Sequence, residues 1–308
     1  MKALIIDLKN QAIFFPEDVE RVKQALEDKS HIYAILLSHK YYLKRNEIKK
    51  DKDGIYLPVF SPTKGSCFTI PFKVYEGIDH TLITIDSQYP YERFSVTIED
   101  ENWKSQNPEK ERYIEYNLSK ISDKVLFLSF SDFDYKVLYI GQSYGKTGER
   151  EATDRLKNHS TLQKILAECQ NKYAGYNIHI LLLDFKQDQI GEVQQCGNLY
   201  TIISSEPRFD EQQIINITEA SLIHYFKPEY NKNFISNFPS EKHTSYSEIF
   251  DAGCTELAID LTYLFEAERY PSLSLHSNYH SITKVKNYIH YKLKEGQTVL
   301  SSYSSDND

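Results

Sequence analysis

Short apolar runs separated by polar turns dominate the first third of the chain, and they predict a strand-rich fold. Such runs are typical of β-strands when Gly, Pro, Asn or Asp residues bound them. We expect strands at residues 3–6, 55–60, 67–72, 81–85 and 94–98. A helix is expected from Pro16 to Val22, because acidic residues fill its first turn. The polar segment 100–112 then predicts a boundary, so residues 1–110 are expected to form one mixed, strand-rich domain.

Strands and helices alternate in the middle of the chain. Strands are expected at residues 125–130, 137–140, 178–185 and 199–203. The first two are close enough to form a hairpin, and the third is apolar at nearly every position, which is typical of a strand buried on both faces. Helices are expected after Thr153, after Ser160 and after Thr218, with Thr153 and Thr218 as N-caps. The last of these should end before Pro228, since the residue that precedes a proline disfavours helical geometry.

The last quarter of the chain predicts a helical region. Two or three helices are expected within residues 240–298, the last of them over residues 282–293. Residues 299–308 are serine-rich and acidic, so we expect a disordered tail. The whole chain is therefore expected to be α+β, with a compact domain over residues 120–238 between the strand-rich and the helical regions.

Composition and charge narrow the class of protein. The 308 residues are 40% hydrophobic and 26% charged, as in soluble globular proteins. No apolar stretch is long enough to cross a membrane, and residues 1–14 lack the features of a signal peptide. The four cysteines, Cys67, Cys169, Cys196 and Cys254, are scattered singly and predict neither a zinc site nor a disulfide framework. We therefore expect a cytoplasmic protein. A net charge of −8 means that any contact with nucleic acid must come from local basic patches.

The segment Gly141-Gln142-Ser143-Tyr144-Gly145-Lys146-Thr147 is similar to a phosphate-binding loop. Such a loop needs four residues between its first glycine and the Gly-Lys-Thr, so that successive backbone N–H groups surround a phosphate. This chain has three, which argues against nucleotide binding.

Beyond this segment, four individual residues have side chains that could take part in catalysis or binding. Arg155 and His159 are four residues apart on a predicted helix and share one face, which a solvated surface would also explain. Glu219 is in line with the apolar stripe of its predicted helix, where a buried carboxylate needs a partner. A metal ion, an arginine or exposure at the first helical turn would each satisfy it. Asn231 follows the end of this helix and is either a turn residue or a brace for a site.

The order and spacing of these residues resemble the GIY-YIG nuclease superfamily over about residues 120–235. The matching pieces are Tyr139-Ile140-Gly141, the Arg155–His159 pair and the run EASLIHYFKPEYN from Glu219 to Asn231. The resemblance implies that residues 120–238 fold as a small three-stranded antiparallel sheet flanked by helices. Gly141 would then end a strand beside an active-site tyrosine.

The resemblance also implies a metal-dependent endonuclease that hydrolyses phosphodiester bonds. Glu219 would hold Mg²⁺ or Mn²⁺, and Arg155 would bind the phosphate oxygens. Tyr139 would position or help to deprotonate the attacking water, with His159 as proton acceptor or phosphate donor. Asn231 would brace the site. By analogy with nucleases that use this domain, the activity would serve restriction or phage defence.

The chain departs from the family pattern at the first motif. The family's Gly-Ile-Tyr is expected about a dozen residues before Tyr139, where this chain has Val125-Leu126-Phe127. Phe127 can neither donate a hydrogen bond nor carry a proton. Tyr139, His159, or a tyrosine outside this register such as Tyr116 or Tyr135 would have to replace it.

Nucleic acid would be held by basic residues near the arginine helix, namely Lys146, Lys157 and Lys164. The basic segment 39–52 interleaves lysines with tyrosines, although a solvated amphipathic face explains it better. DNA is the expected substrate, and RNA stays open. The alternative is a catalytically inactive module on the same scaffold that binds nucleic acid or protein.

Overall fold

The computed structural model describes residues 2–26, 28–118, 134–145, 148–185, 190–196, 199–204, 209–238, 244–262, 264, 274–283, 287–293 and 297–299. Within them the helices are α1 (Val19–Ala25), α2 (Glu101–Gln106), α3 (Ala152–Leu156), α4 (Ser160–Lys172), α5 (Glu211–Phe226) and α6 (Ser247–Asp251). The strands up to residue 120 are β1 (Lys2–Asp7), β2 (Lys9–Phe14), β3 (Ile32–His39), β4 (Tyr42–Leu43), β5 (Lys49–Lys50), β6 (Ile55–Ser61), β7 (Ser66–Phe72), β8 (Ile83–Asp86), β9 (Arg93–Ile98) and β10 (Tyr113–Asn117). The later strands are β11 (Asp134–Gln142), β12 (Tyr176–Asp184), β13 (Ile190–Cys196), β14 (Leu199–Ser204), β15 (Glu256–Asp260), β16 (Ser274–His276), β17 (Ser281–Ile282), β18 (Tyr288–Lys292) and β19 (Gln297–Val299). The predicted α+β class is confirmed at this level.

Two six-stranded sheets enclose the main core. The central sheet has the strand order β17-β16-β11-β3-β12-β2, and the flanking sheet has the order β14-β13-β1-β15-β18-β19. Both sheets contribute side chains to one apolar cluster, which also contains the buried stripe of α5. A second cluster covers the opposite face of the central sheet and includes residues of α3 and α4. The central sheet is therefore buried on both faces, which explains why β12 is apolar at almost every position.

Residues 40–118 form a separate module, called here the inserted module. Its strands make a sheet of β4, β5, β6 and β7 and a three-stranded sheet of order β10-β9-β8. Its apolar cluster contains only residues from Tyr41 to Leu118. The module leaves the central sheet after β3, and the described chain re-enters that sheet at β11.

This strand pairing corrects the predicted domain boundaries. β1, β2 and β3 belong to the same two sheets as β11–β19, so residues 1–110 do not make one domain. The predicted boundary at residues 100–112 contains α2, which Asp100 caps and whose Trp103 is buried in the core of the inserted module. The polar composition of that segment reflects the exposed face of a short helix rather than a linker.

The predicted hairpin joins residues 125–130 to residues 137–140, of which the second set lies within β11. Residues 125–130 lie outside the described residues, but both hydrogen-bonding edges of β11 are occupied. One edge pairs antiparallel with β3 from Tyr135 to Gln142. The other is bonded to β16, to the backbone N–H of Tyr230 and to the side chain of Asn231. The strand that neighbours the YIG segment therefore comes from far earlier in the chain.

The predicted helical C-terminal region, residues 240–298, is wrong. Its described residues contain the short helix α6 and the strands β15, β16, β17, β18 and β19. Over β18 partly exposed and buried positions alternate, with Ile289 and Tyr291 in the core. This period of two is the pattern of a strand and not of a helix. The predicted tail, residues 299–308, lies outside the described part except for Val299.

Two predicted helix caps are corrected as well. The N-cap of α3 is Glu151, whose side chain forms a capping box with Asp154, and Thr153 is the second residue of that helix. The N-cap of α5 is Asp210, so Thr218 lies within the helix and donates its hydroxyl to the Ile214 carbonyl at 2.7 Å. The predicted end of α5 before Pro228 is confirmed. None of the described helices is long and apolar enough to cross a membrane.

Candidate active site

The register of β3 against β11 places two tyrosines side by side. Tyr33 is the direct partner of Gly141, and Tyr139 is two residues away on β11. Residues two apart on a strand point to the same face, so the Tyr33 and Tyr139 rings lie on one surface of the sheet. Their ring centroids are 6.1 Å apart. The YIG strand thus meets a second tyrosine that comes from β3.

Gly141 makes this close approach possible. A Cβ atom at this position would lie 2.7 Å from the Tyr33 hydroxyl oxygen and 2.7 Å from the Tyr139 ring. Neither distance is compatible with van der Waals packing, and both rings are held by the sheet. The predicted place of Gly141, near the end of a strand beside a tyrosine, is confirmed.

The Tyr33 hydroxyl is buried and makes no hydrogen bond of good geometry to a described residue, although the Tyr139 hydroxyl is close enough to interact with it. Burial raises the pKa of Tyr33 far above its usual range, the neighbouring Tyr139 and Glu219 raise it further, and Arg155 lowers it. The pKa of Tyr139 is also raised by burial and by Glu219. Burial therefore keeps both hydroxyls protonated in the free protein.

Arg155 reaches this surface from α3. Its Nη1 donates to the Gln142 carbonyl at 3.0 Å, at the end of β11. The side chain remains partly exposed. A guanidinium has five N–H donors, so one bond to the backbone fixes its orientation and leaves others for an anion.

His159 packs against both tyrosine rings, with centroids 5.6 Å from Tyr33 and 5.1 Å from Tyr139. It is also the N-cap of α4, where its Nδ1 accepts the backbone N–H of Leu162 at 3.1 Å. Burial, together with the nearby Arg155 charge, lowers the pKa of His159 to about 4. Because Nδ1 accepts, the neutral ring carries its proton on Nε2 and can donate from there.

Glu219, which lies on α5, is the carboxylate of the candidate site. Burial raises the pKa of its carboxyl to about 7, while Arg155 and a backbone hydrogen bond from Gln142 act in the opposite direction. Protein surrounds the carboxyl closely, yet the residue keeps part of its surface open to solvent. The described residues contain no group of three or more His, Cys, Asp or Glu side chains that could hold a metal ion by themselves.

Asn231 binds the backbone of β11 between Tyr139 and Gly141. Its Oδ1 accepts the Ile140 N–H at 2.9 Å and its Nδ2 donates to the Ile140 carbonyl at 2.8 Å. The side chain therefore replaces a strand partner at this edge and fixes the position of the tyrosine strand.

Five residues predicted from sequence thus converge with Tyr33, which the sequence reasoning missed. Tyr33 belongs to Ile32-Tyr33, an Ile-Tyr pair at the start of an apolar run. This pair is the sequence feature that could have identified Tyr33 as a site residue. The inserted module separates it from Tyr139 along the chain and concealed the pairing. Phe127 lies outside the described residues.

The two other tyrosines considered as replacements are placed elsewhere. Tyr116 stacks on Phe94 in the core of the inserted module, with ring centroids 5.1 Å apart. Tyr135 is near the start of β11, packed against His179 at 5.5 Å. Both belong to other apolar clusters than the one that contains Tyr33 and Tyr139.

The lysines expected to hold nucleic acid lie on exposed surface next to the site. Lys157 is 2.7 Å from Glu20, and Lys164 is 3.7 Å from Glu168 and lies over the Tyr230 ring. Lys146 lies outside the described residues. In the basic segment 39–52, Lys40, Lys44 and Arg45 are each paired with a carboxylate, as the solvated-face interpretation expects.

A comparison of the chain with protein-family models, curated proteins and solved structures found no match. The functional argument therefore depends on the geometry of the site.

Proposed function

We propose that this chain is a metal-dependent endonuclease that hydrolyses phosphodiester bonds in DNA by GIY-YIG-type chemistry. The observation that carries the proposal is the convergence of Tyr33 and Tyr139, whose rings lie 6.1 Å apart, with His159 against both rings and with Arg155 and Glu219 close enough to shift their pKa. An aromatic hydroxyl, a guanidinium, an imidazole and a carboxylate can together orient a water, stabilise phosphate charge and hold a cation, which are the roles that phosphodiester hydrolysis needs.

In this proposal Ile32-Tyr33 is the first family motif and residues 40–118 are inserted between the two tyrosine strands. His31 stands where the family motif has glycine. The antiparallel strands β11, β3 and β12 correspond to the three-stranded sheet of the family, with β16, β17 and β2 added at its edges. With this assignment the first motif contains a tyrosine, Tyr33, and Phe127 is not part of that motif.

The donor set fits a single divalent cation of the Mg²⁺ type. Mg²⁺ keeps several waters and binds proteins through one or two carboxylates together with substrate phosphates, so the Glu219 carboxylate suffices as a protein ligand. When bound, the cation polarises the scissile phosphate and stabilises the leaving oxygen. A Glu219 with a pKa of about 7 is only partly ionised near neutral pH, so metal binding should release protons.

Side chains of the protein bind the phosphate and position the attacking water. Arg155, oriented by its bond to the Gln142 carbonyl, stabilises the negative charge that develops on the phosphate oxygens. Tyr33 and Tyr139 are neutral in the free protein because burial raises the pKa of both. Their neutral hydroxyls orient the attacking water by hydrogen bonds, and the proton that this water releases on attack passes to solvent.

His159 acts as a hydrogen-bond donor in this scheme. Its Nδ1 is already occupied by the Leu162 N–H, and its lowered pKa disfavours taking up a second proton. Nε2–H therefore donates, either to a tyrosine oxygen or to the phosphate. Of the two roles that the sequence left open for this residue, the geometry favours the donor.

Cleavage of plasmid DNA tests the proposal. We expect purified protein to nick or cut plasmid in the presence of Mg²⁺ or Mn²⁺, and we expect Glu219→Ala and Arg155→Ala each to lower the rate by about 10²-fold or more. Lys73→Ala is the control, since it removes an exposed charge of the inserted module to which no role in the site is assigned, and it should have a small effect. Binding without cleavage in the unmodified protein would favour the inactive-module alternative. Restriction or phage defence remains the role that we propose by analogy.

A further inference from the structure

The inserted module carries a second concave site, far in sequence from the six residues described above. The cavity has a volume of about 370 Å³ and lies on the solvent face of the sheet β10-β9-β8. The opposite face of that sheet is covered, since Phe94 and Val96 are buried in the core of the module. On the solvent face Ser95 pairs laterally with Asp86 and with Glu115. The loop of residues 87–92 lines the cavity from the side.

Two exposed tyrosines line this cavity. Tyr89 is 86% exposed and Tyr113 is 55% exposed, which places them among the most exposed large side chains of the described residues. Large aromatic side chains that stay exposed around a cavity offer flat apolar surface to a ligand. Their positions favour a planar ligand that stacks on a ring.

The charges of the cavity balance one another. Asp86 is 2.9 Å from Arg45, and Glu92 is 3.5 Å from Lys40. The third carboxylate, Glu115, accepts the Tyr113 hydroxyl at 2.9 Å, and Arg93 is part of the same lining. Arg45 and Lys40 are not part of the lining, but they neutralise two of its three carboxylates, and the lining itself contains one cation, Arg93. This balance favours neither a phosphate nor a cationic peptide. It favours a neutral ligand that both donates and accepts hydrogen bonds.

We propose that this cavity binds one unpaired nucleobase of the nucleic acid that the protein acts on. A nucleobase is planar, neutral and polar at its edge, so it can stack on tyrosine while carboxylates accept from its exocyclic amino group. The volume lies at the lower end of the range for small-molecule sites, about 300–1,000 Å³. That the base belongs to the substrate of the enzyme rests on the proposed nuclease function. The base-binding site itself can be measured without cleavage.

Equilibrium binding to labelled single strands tests this inference. The probes are fluorescein-labelled oligonucleotides of dA, dC or dT, about ten nucleotides long, and an abasic strand of the same length and charge. Anisotropy is measured with the full chain in EDTA, so that no cleavage occurs. We expect at least one base-bearing strand to bind more tightly than the abasic strand, because phosphate contacts are the same in both.

Two exposed positions provide the variants. Tyr89→Ala and Tyr113→Ala should each weaken base-dependent binding by roughly 5- to 150-fold, the range for loss of one base–aromatic stack. Tyr279→Ala is the matched control, because Tyr279 is 63% exposed and lies outside the inserted module. It should bind as the unmodified protein does.

Three results would overturn the inference: equal affinity for abasic and base-bearing strands, unchanged binding by both module variants, or no binding to any strand. A labelled oligolysine that binds and is lost in Tyr89→Ala would also overturn it, in favour of a peptide site. Plasmid cleavage is scored separately. If base-dependent binding holds while plasmid stays uncut, the cavity assignment stands and the nuclease proposal fails.

Discussion

At the residue scale, His159 combines a structural and a chemical role that can be separated. Asparagine keeps an acceptor at the N-cap of α4 but has no equivalent of the Nε2–H of the imidazole ring, which packs against both tyrosines. We expect the unfolding free energy of His159→Asn to lie within about 0.5 kcal/mol of that of the unmodified protein. We expect the variant to cleave plasmid at least about tenfold more slowly. His159→Ala should lose the cap as well, which costs about 1 kcal/mol. Urea unfolding and plasmid cleavage measure the two effects, and full activity in His159→Asn would contradict the donor role.

Asp7 offers a pH-dependent test of the core. Burial and the neighbouring Asp260 raise its pKa from 3.8 to about 6. The folded state therefore holds this proton more tightly than the unfolded state does. The stability that the protonated carboxyl contributes is complete below about pH 4 and is lost as the pH rises through 6.

Asp7→Asn removes this titration. We expect the variant to gain stability relative to the unmodified protein between about pH 4 and pH 7, by on the order of 1–2 kcal/mol, since partial exposure reduces the effect. The measurement is the free energy of urea unfolding of both proteins at the two pH values. A difference that does not change with pH would show that Asp7 is not perturbed in the folded protein.

At the element scale, β3 and β11 must lie close enough for both tyrosines to share one face, and Gly141 sets that distance. Gly141→Ala would place a methyl group 2.7 Å from both rings, so the strand or the rings must move. We expect a loss of about 1–3 kcal/mol in unfolding free energy and a loss of cleavage larger than the loss of folded protein accounts for. Gly54→Ala is the control, because its nearest contact would be an ordinary 3.5 Å. Equal behaviour of the two variants would contradict the packing argument.

The sequence predicts individual elements better than it predicts their neighbours. β6, β7, β9, β12 and β14 are found where apolar runs predict them, because a strand's pattern is local. Helix starts were misplaced at Thr153 and Thr218, since Glu151 and Asp210 upstream provide the capping oxygens. The pairing of β3 with β11 depends on contacts across a whole inserted module, and no local pattern reports it.

The same limit applies to the candidate site. Arg155, His159, Glu219 and Asn231 lie within one continuous stretch whose spacing is recognisable, so they could be selected from sequence. Tyr33 could not be selected from sequence, because its place in the site depends on the register of β3 against β11 and on the burial of its hydroxyl. The exposed tyrosines of the inserted module were likewise indistinguishable from the many others in the chain.

At the scale of the whole molecule, the fold needs both ends of the chain. β3 is the central partner of β11 and β12, so residues 120–238 alone lack the strand that joins their own two. We expect a fragment of residues 120–238 to lack a cooperative thermal transition, in contrast to the full chain. Circular dichroism on heating measures this. A fragment that unfolds cooperatively on its own would contradict the strand order described here.

The most direct test of the central claim is the cleavage rate of Tyr33→Phe. The hydroxyl makes no hydrogen bond of good geometry to a described residue, so its removal should change the unfolding free energy by no more than about 1 kcal/mol. If Tyr33 holds the attacking water, plasmid cleavage should nevertheless fall by about 10²-fold or more. A Tyr33→Phe protein that is stable and cleaves at the unmodified rate would contradict the account.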